Sequence, residues 1–200
     1  MEITKVEAIP VSIPQKRAFT THRETVTQRD YVVVKVYTDE GIVGISEAST
    51  IGTWGEPQQA CVYAIENILG PAIIGEDPFN VRKILFKMDR ALEYFWYSKA
   101  AIDIALYDIM GKALEVPIYK LLGGQYREVV PTSRSVGITD PTDAIEWGKM
   151  LHDELGSKTI KIKVGINMQN DISIVKGIRK AVGGDVLLKV DANQGYGNTK

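Results

Sequence analysis

Thr159-Ile-Lys-Ile-Lys-Val-Gly165 sets two lysines two positions apart inside an otherwise aliphatic run. In an extended strand side chains alternate between faces, so Lys161 and Lys163 share one face and Ile160, Ile162 and Val164 share the other. An antiparallel sheet would simply turn the lysines to water. The flanking stretches argue for a different sheet: Asp140-Pro141 to Leu155 and Met168 to Val182 read as helices, which makes the region an alternating strand and helix chain. Parallel strands in such chains are covered on both faces and normally read as unbroken aliphatic runs. Two ammonium groups on one face therefore point into a polar, functional interior.

One strand–helix unit later, Leu187-Leu-Lys-Val-Asp-Ala-Asn-Gln-Gly195 repeats the anomaly. Asp191 and Asn193 share a face at the carboxyl end of the strand, where parallel barrels and open α/β sheets carry their chemistry. Asp and Asn before Gly also begin ordinary turns. Beside the lysine pair, the clustering of ionisable groups favours a site.

Composition sets the outer bounds. With 24 basic and 25 acidic residues in 200, a net charge of −1 gives no reason to expect nucleic acid or an anionic membrane as partner. Cys61 is the only cysteine, so no intrachain disulfide forms and a cytoplasmic setting is the default expectation. The thiol reads as core rather than nucleophile. The N-terminus lacks an apolar signal core, and no run reaches membrane-spanning length.

Before the alternating region lies a different pattern. Residues 2 to 13 read as a strand that Pro10 and Pro14 place near a sheet edge. Gln15 to Arg29 is polar, lacks either periodicity and is expected to be a mobile loop. Tyr31 to Tyr37 and Ile42 to Ala48, joined by Asp39-Glu-Gly41, predict a β-hairpin. Ser49 to Glu56 is a second loop. Three helices follow: Pro57 to Leu69 stopped by Gly70-Pro71, Asp77-Pro78 to Leu92, and one capped by Ser98 with Ile102, Leu106, Ile109 and Ala113 at helical spacing. A short helical turn, Ile118 to Leu122, ends at Gly123-Gly124. The predicted organisation is an α+β module over residues 1–127 and strands at 129–136, 159–164 and 186–191 with two helices over residues 128–200.

This order of modules, with Lys-x-Lys on the second parallel strand and Asp-x-Asn on the third, resembles the enolase superfamily, in its mandelate racemase and muconate lactonizing enzyme branch. Gly44-Ile-Ser-Glu-Ala48, Ala100-Ala-Ile-Asp-Ile-Ala-Leu-Tyr-Asp108, Gly111-Lys-Ala-Leu-Glu-Val-Pro117 and Leu121-Leu-Gly-Gly124 followed by Arg127 agree with it. Ser46 departs, since members often carry glycine there.

The resemblance implies an N-terminal α+β capping domain followed by the first part of a (β/α) TIM-type barrel. It implies a divalent metal, usually magnesium with manganese as the alternative, held by three carboxylates of which Asp191 matches the first. Lys163 matches the base that removes the proton α to a small carboxylate substrate, and Lys161 the group that stabilises the enediolate. A dication facing the carboxylate supplies stabilisation that a lone lysine cannot. Lys163 has a plainer reading too, as a lysine paired with a barrel carboxylate such as Asp191.

Asn193 is expected to contact substrate or metal-bound water, or merely to cap its loop. Phe19, His22, Thr53 and Trp54 match the part of the capping module that selects substrate, although His22 reads more simply as a solvated loop histidine. Ser133 and Ser135 alternate on the first barrel strand and either face substrate or fill the barrel. Racemisation, epimerisation, cycloisomerisation and dehydration are the expected reaction types, usually in a homo-oligomer. A Schiff-base lysine enzyme and a non-catalytic binding protein are the alternatives. A full barrel of this class takes about 250 residues, and the resemblance implies two more carboxylates, and often a second base, Lys or His, on later strands than these. The 200 residues are thus expected to be the N-terminal part of a longer enzyme and inactive alone.

Overall fold

The structure, a computed structural model, describes residues 1–50 and 55–197. It divides into two units: Met1–Ile13 with Arg29–Tyr126, and Pro14–Gln28 with Arg127–Lys200.

The first unit is built on a three-stranded sheet in the order β1-β2-β3, from β1 (Ile3–Thr20), β2 (Thr25–Thr38) and β3 (Val43–Ser49). As its prolines predict, β1 lies at an edge. β2 and β3 pair antiparallel from Tyr31↔Ser49 to Tyr37↔Val43. Alternate residues of β2, Val32, Val34 and Val36, are fully buried against the helices. The helical layer comprises α1 (Gln58–Ala64), a π-helical turn (Ile65–Leu69), α2 (Gly70–Ile73), α3 (Val81–Ala91), α4 (Trp96–Ala113) and α5 (Ile118–Leu121). Its core includes Ile65, Leu69, Ile84, Met88, Ile102, Leu106 and Ile109. Backbone meets backbone where β3 crosses α4: a Cβ on Gly44 would lie 2.1 Å from the Ala105 carbonyl oxygen, so only glycine fits. Next to it, Ser46 Oγ donates to the Ala101 carbonyl at 2.5 Å, which gives the departure from glycine a partner on α4.

Three helix boundaries differ from expectation. Gly70-Pro71 does not stop the first helix, which widens into the π-helical turn Ile65–Leu69, where Gly70 N bonds Ile65 O, and runs on without a break into α2. Asp77 caps a preceding turn, accepting from Phe79 N at 3.0 Å, and α3 begins only at Val81. Ser98 is not the cap of α4, which begins at Trp96 behind Phe95 in the left-handed region. Glu56 instead reaches the helix start, where it accepts from Tyr97 N at 2.8 Å, Ser98 N at 3.1 Å and the Ser98 hydroxyl. Cys61, beside Ser98, is buried, and burial pushes its thiol up.

The second unit holds a parallel sheet, β4 (Arg134–Val136), β5 (Thr159–Lys163) and β6 (Leu187–Asp191), in the order β4-β5-β6. α6 (Pro141–Asp153) and α7 (Met168–Val182) connect the strands. Asp140 caps α6 through Thr142 N and Asn167 caps α7 through Asn170 N. Ile160, Ile162 and Val164 are buried with Ile174 and Ile178, as the two-residue period requires. β4 is much shorter than residues 129–136: Val129 and Val130 are 76% and 74% exposed and carry no strand. β6 ends the sheet, and Val190 on its outer face is 61% exposed.

Residues 15–29 are not the loop that their polarity suggests. β1 and β2 run on through them to a turn at residues 21–24, closed by Thr21 N to Glu24 O at 2.9 Å. Specific contacts inside the second unit, to which these residues belong, replace a buried face: Arg17 lies 4.4 Å over the Trp147 ring on α6, Phe19 meets the same ring edge-on at 6.2 Å, and Ile138 N donates to Thr20 O at 2.8 Å.

Candidate active site at the carboxyl ends of the parallel strands

Parallel register carries the lysine face across the whole sheet. Ser135, Lys161 and Lys189 lie side by side, and Lys163 is opposite Asp191 one step further toward the carboxyl end. There the side chains converge. Lys163 Nζ donates to Asp191 Oδ2 at 2.7 Å and to Asn193 Oδ1 at 2.6 Å. Lys161 Nζ lies 3.4 Å from the same Asp191 oxygen. The other carboxylate oxygen, Oδ1, accepts from Asn193 N at 3.0 Å.

The two lysines differ in environment. Lys163 has a side chain only 9% exposed and is enclosed by its partners, whereas that of Lys161 is 35% exposed and open to an incoming anion. The Lys163 ammonium, followed by the Asn193 N–H, holds the Asp191 carboxyl down to about 2, against the upward push of burial. Asp191 is therefore a fixed negative charge at any physiological pH.

Backbone geometry beneath these side chains is tight. Gly165, at φ 112°, and Gly195 pack directly together: a Cβ on Gly195 would lie 2.7 Å from the Gly165 oxygen and 2.9 Å from His22 Cγ. Asn193 and Gln194 both take the left-handed conformation that Asn tolerates better than most residues. Val164 N donates to Asp191 O at 3.1 Å, which continues the β5–β6 ladder up to the site.

Comparison with known proteins decides what this arrangement belongs to. The family model for the mandelate racemase / muconate lactonizing enzyme N-terminal domain matches residues 3–123. The chain belongs to the mandelate racemase / muconate lactonizing enzyme family. Among its relatives, the N-succinyl-L-Arg/Lys racemase of Bacillus cereus is 34% identical over 200 residues, which cover 100% of this chain and 54% of the racemase. The dipeptide epimerase of Enterococcus faecalis V583, solved in complex with Mg and the dipeptide L-Leu-L-Tyr, superposes with a TM-score of 0.89 at 40% identity and is covered to 55%, against 98% of this chain. The chloromuconate cycloisomerase CbnB of Cupriavidus necator is 34% identical over 98% of this chain and 54% of its own. The chain thus spans about half the length of the curated relatives it matches.

The expected site residues fall into four groups. Lys161, Lys163, Asp191 and Asn193 are together. Ser135 lies half-buried on the same face beside Lys161, whereas Ser133 precedes β4 and is exposed. Phe19 is engaged with Trp147, and His22 is exposed at the hairpin turn beside Gly195. Thr53 and Trp54 lie outside the described residues.

A magnesium ion takes about six oxygen ligands in near-octahedral array. No group of three or more His, Cys, Asp and Glu side chains suited to a metal occurs among the described residues. Asp191, ionised and about one third exposed, fits one position of such a site but not a whole one.

Sequence reasoning missed four residues near the site. Lys189 was legible, being two residues before Asp191 on the same face. Arg23 at the hairpin turn bonds the Gln194 side chain, and Trp147 seats the hairpin. Asp171, 5% exposed in the first turn of α7, accepts from Gly165 N at 3.0 Å and from the Tyr196 hydroxyl at 3.1 Å. Burial and the Asp171 carboxylate raise Tyr196 above its usual range. No local pattern announces Arg23 or Trp147, because their partners are remote in the chain, and Asp171 reads as an ordinary acidic residue of a helix's first turn.

Proposed function

We propose that the protein containing this chain is a magnesium-dependent isomerase that removes the proton α to the carboxylate of an N-acylated amino acid or dipeptide, with racemisation or epimerisation as the outcome. The convergence of Lys161 and Lys163 on Asp191, at one end of two parallel strands, carries this reading. Lys163, as the neutral amine, takes the α-proton, and Asp191 and Asn193 hold the ammonium so formed until it gives the proton up again. Lys161, the more open cation, faces the negative charge that develops on the substrate carboxylate. Asp191 would hold the metal with carboxylates outside this chain, and magnesium, or manganese in its place, supplies positive charge opposite the substrate carboxylate. The hairpin turn with His22 and Arg23 stands beside the loop after β6, and the role of selecting substrate is assigned to Phe19, Thr53 and Trp54. Cycloisomerisation of a muconate is the second reading, favoured by the likeness to chloromuconate cycloisomerase. A homo-oligomer in the cytoplasm is the expected setting.

Proton NMR in deuterated solvent with magnesium tests the proposal, using L-Leu-L-Tyr, L-Ala-L-Glu, N-succinyl-L-arginine and cis,cis-muconate as probes. The full-length protein should exchange the α-proton of at least one amino-acid probe, and Lys163→Ala should stop exchange on the face it serves. Turnover of muconate alone selects the second reading. Absence of reaction with all four, or undiminished exchange in Lys163→Ala, overturns both.

A further inference from the structure

An acidic residue in the first turn of a helix is ordinary, since its charge suits the helix dipole. Asp171 departs from that pattern in where its carboxylate goes. Its side chain is buried, and one oxygen, Oδ2, collects the Gly165 N–H and the Tyr196 hydroxyl. Gly165 lies two residues beyond Lys163, and Tyr196 five beyond Asp191 and three beyond Asn193. One atom on α7 therefore ties together the loops that leave the two strands carrying the site.

What lies between those loops gives the tie its effect. Gly165 and Gly195 are in backbone contact, with no side chain to act as a spacer, so beyond the last ladder bond, Val164 N to Asp191 O, the spacing of the loops depends on what clamps them. The clamp on the site side is the Lys163, Asp191 and Asn193 cluster itself, which must loosen whenever Lys163 turns to a substrate. Asp171 is the clamp on the opposite side and touches none of the reacting groups.

We propose that Asp171 is a positioning residue, a strut that holds the β5 and β6 loops at the spacing that aligns Lys163 with Asp191 and Asn193 while the lysine is engaged with substrate. The catalytic consequence rests on the reading of Lys163 as the base. Catalytic geometry is steep in distance, a 1 Å displacement costing on the order of a hundredfold in rate.

Asp171→Asn keeps a carbonyl oxygen able to accept both donors, Asp171→Ala removes it, and Tyr196→Phe removes one donor alone. In the full-length protein without substrate, Asp171→Ala should speed amide hydrogen exchange in the 164–166 and 192–196 segments together, and Asp171→Asn should restore protection in both. With L-Leu-L-Tyr and magnesium, Asp171→Ala should lower kcat by roughly ten- to a hundredfold with KM unchanged within about twofold, and Asp171→Asn should recover most of it. The proposal is overturned if exchange rises in the 164–166 segment alone, if kcat is unchanged, or if Asn is no better than Ala. Should Asp171→Ala fail to fold, Tyr196→Phe decides by the same two measurements: faster exchange in both segments with a smaller loss of kcat supports the strut, and wild-type behaviour refutes it. A protein that turns over no probe sinks the functional reading alone, and amide exchange still judges the strut.

Discussion

Lys163 donates to Asp191 Oδ2 at 2.7 Å, so the residue assigned as base and the residue assigned to the metal are partners in one ion pair. A dication approaching Asp191 competes with that ammonium. Lys163→Met should therefore bind magnesium more tightly, by up to roughly fivefold if the pair contributes about 1 kcal/mol, while it loses α-proton exchange on the face that Lys163 serves. Asp191→Asn should act in the opposite sense and weaken magnesium by at least the roughly 10–100-fold seen for lost supporting contacts. Calorimetry on the full-length protein reads both. Equal affinity in all three proteins would remove Asp191 from the metal site.

The same pair sets an acid limit on stability. The Asp191 carboxyl sits at about 2 in the folded protein against an ordinary 3.8. A depressed carboxyl stabilises above its unfolded value, and that contribution is lost as pH falls through its folded one. The stability difference between wild type and Asp191→Asn should be constant above about pH 5 and shrink between about pH 4 and pH 2. Urea unfolding across that range measures it, and a difference that widens toward acid contradicts the pairing.

Much of the site was legible because strand geometry is local. Lys161, Lys163, Asp191 and Asn193 obey a period of two, and a parallel register places like positions side by side. Residues 15–29 were illegible for the converse reason. Nothing in Lys16, Arg17 or Thr20 alternates with burial, because the segment is held by an arginine and a phenylalanine on Trp147, more than a hundred residues away. The start of α4 was misread likewise, since Ser98 resembles a local cap while Glu56, 41 residues before Tyr97, serves as one. The β4 boundary failed in the opposite direction: Val129 and Val130 have strand propensity but no neighbouring strand.

Trp147 should govern the hairpin. Trp147→Ala removes an edge-to-face contact and a cation–π contact together worth about 1–2 kcal/mol. Residues 17–25 should then lose amide protection and KM should rise, with kcat changed much less, because the turn stands beside the site without entering the chemistry. Unaltered protection in that segment would show that the sheet alone holds it.

Glu56 should be among the costlier residues to replace in the first unit. Its removal leaves two helix-start N–H groups and the buried Ser98 hydroxyl without their acceptor. Glu56→Ala is expected to lose about 3 kcal/mol of unfolding free energy in urea, and Glu56→Gln, which keeps an acceptor, markedly less. A loss below about 1 kcal/mol for Ala would mean that water replaces the carboxylate at no cost.

The hairpin whose tip, Pro14–Gln28, belongs to the second unit also imposes a timetable. Arg23 finds Gln194 across 171 positions, and Phe19 awaits Trp147. At synthesis rates of about 5–20 residues per second, the tip of the β1–β2 hairpin stands without these partners for on the order of ten to thirty seconds. Through that interval it is a pair of polar strands, and the same lack of hydrophobic alternation that hides it from a sequence reader leaves this segment little apolar surface to misplace before β6 is made.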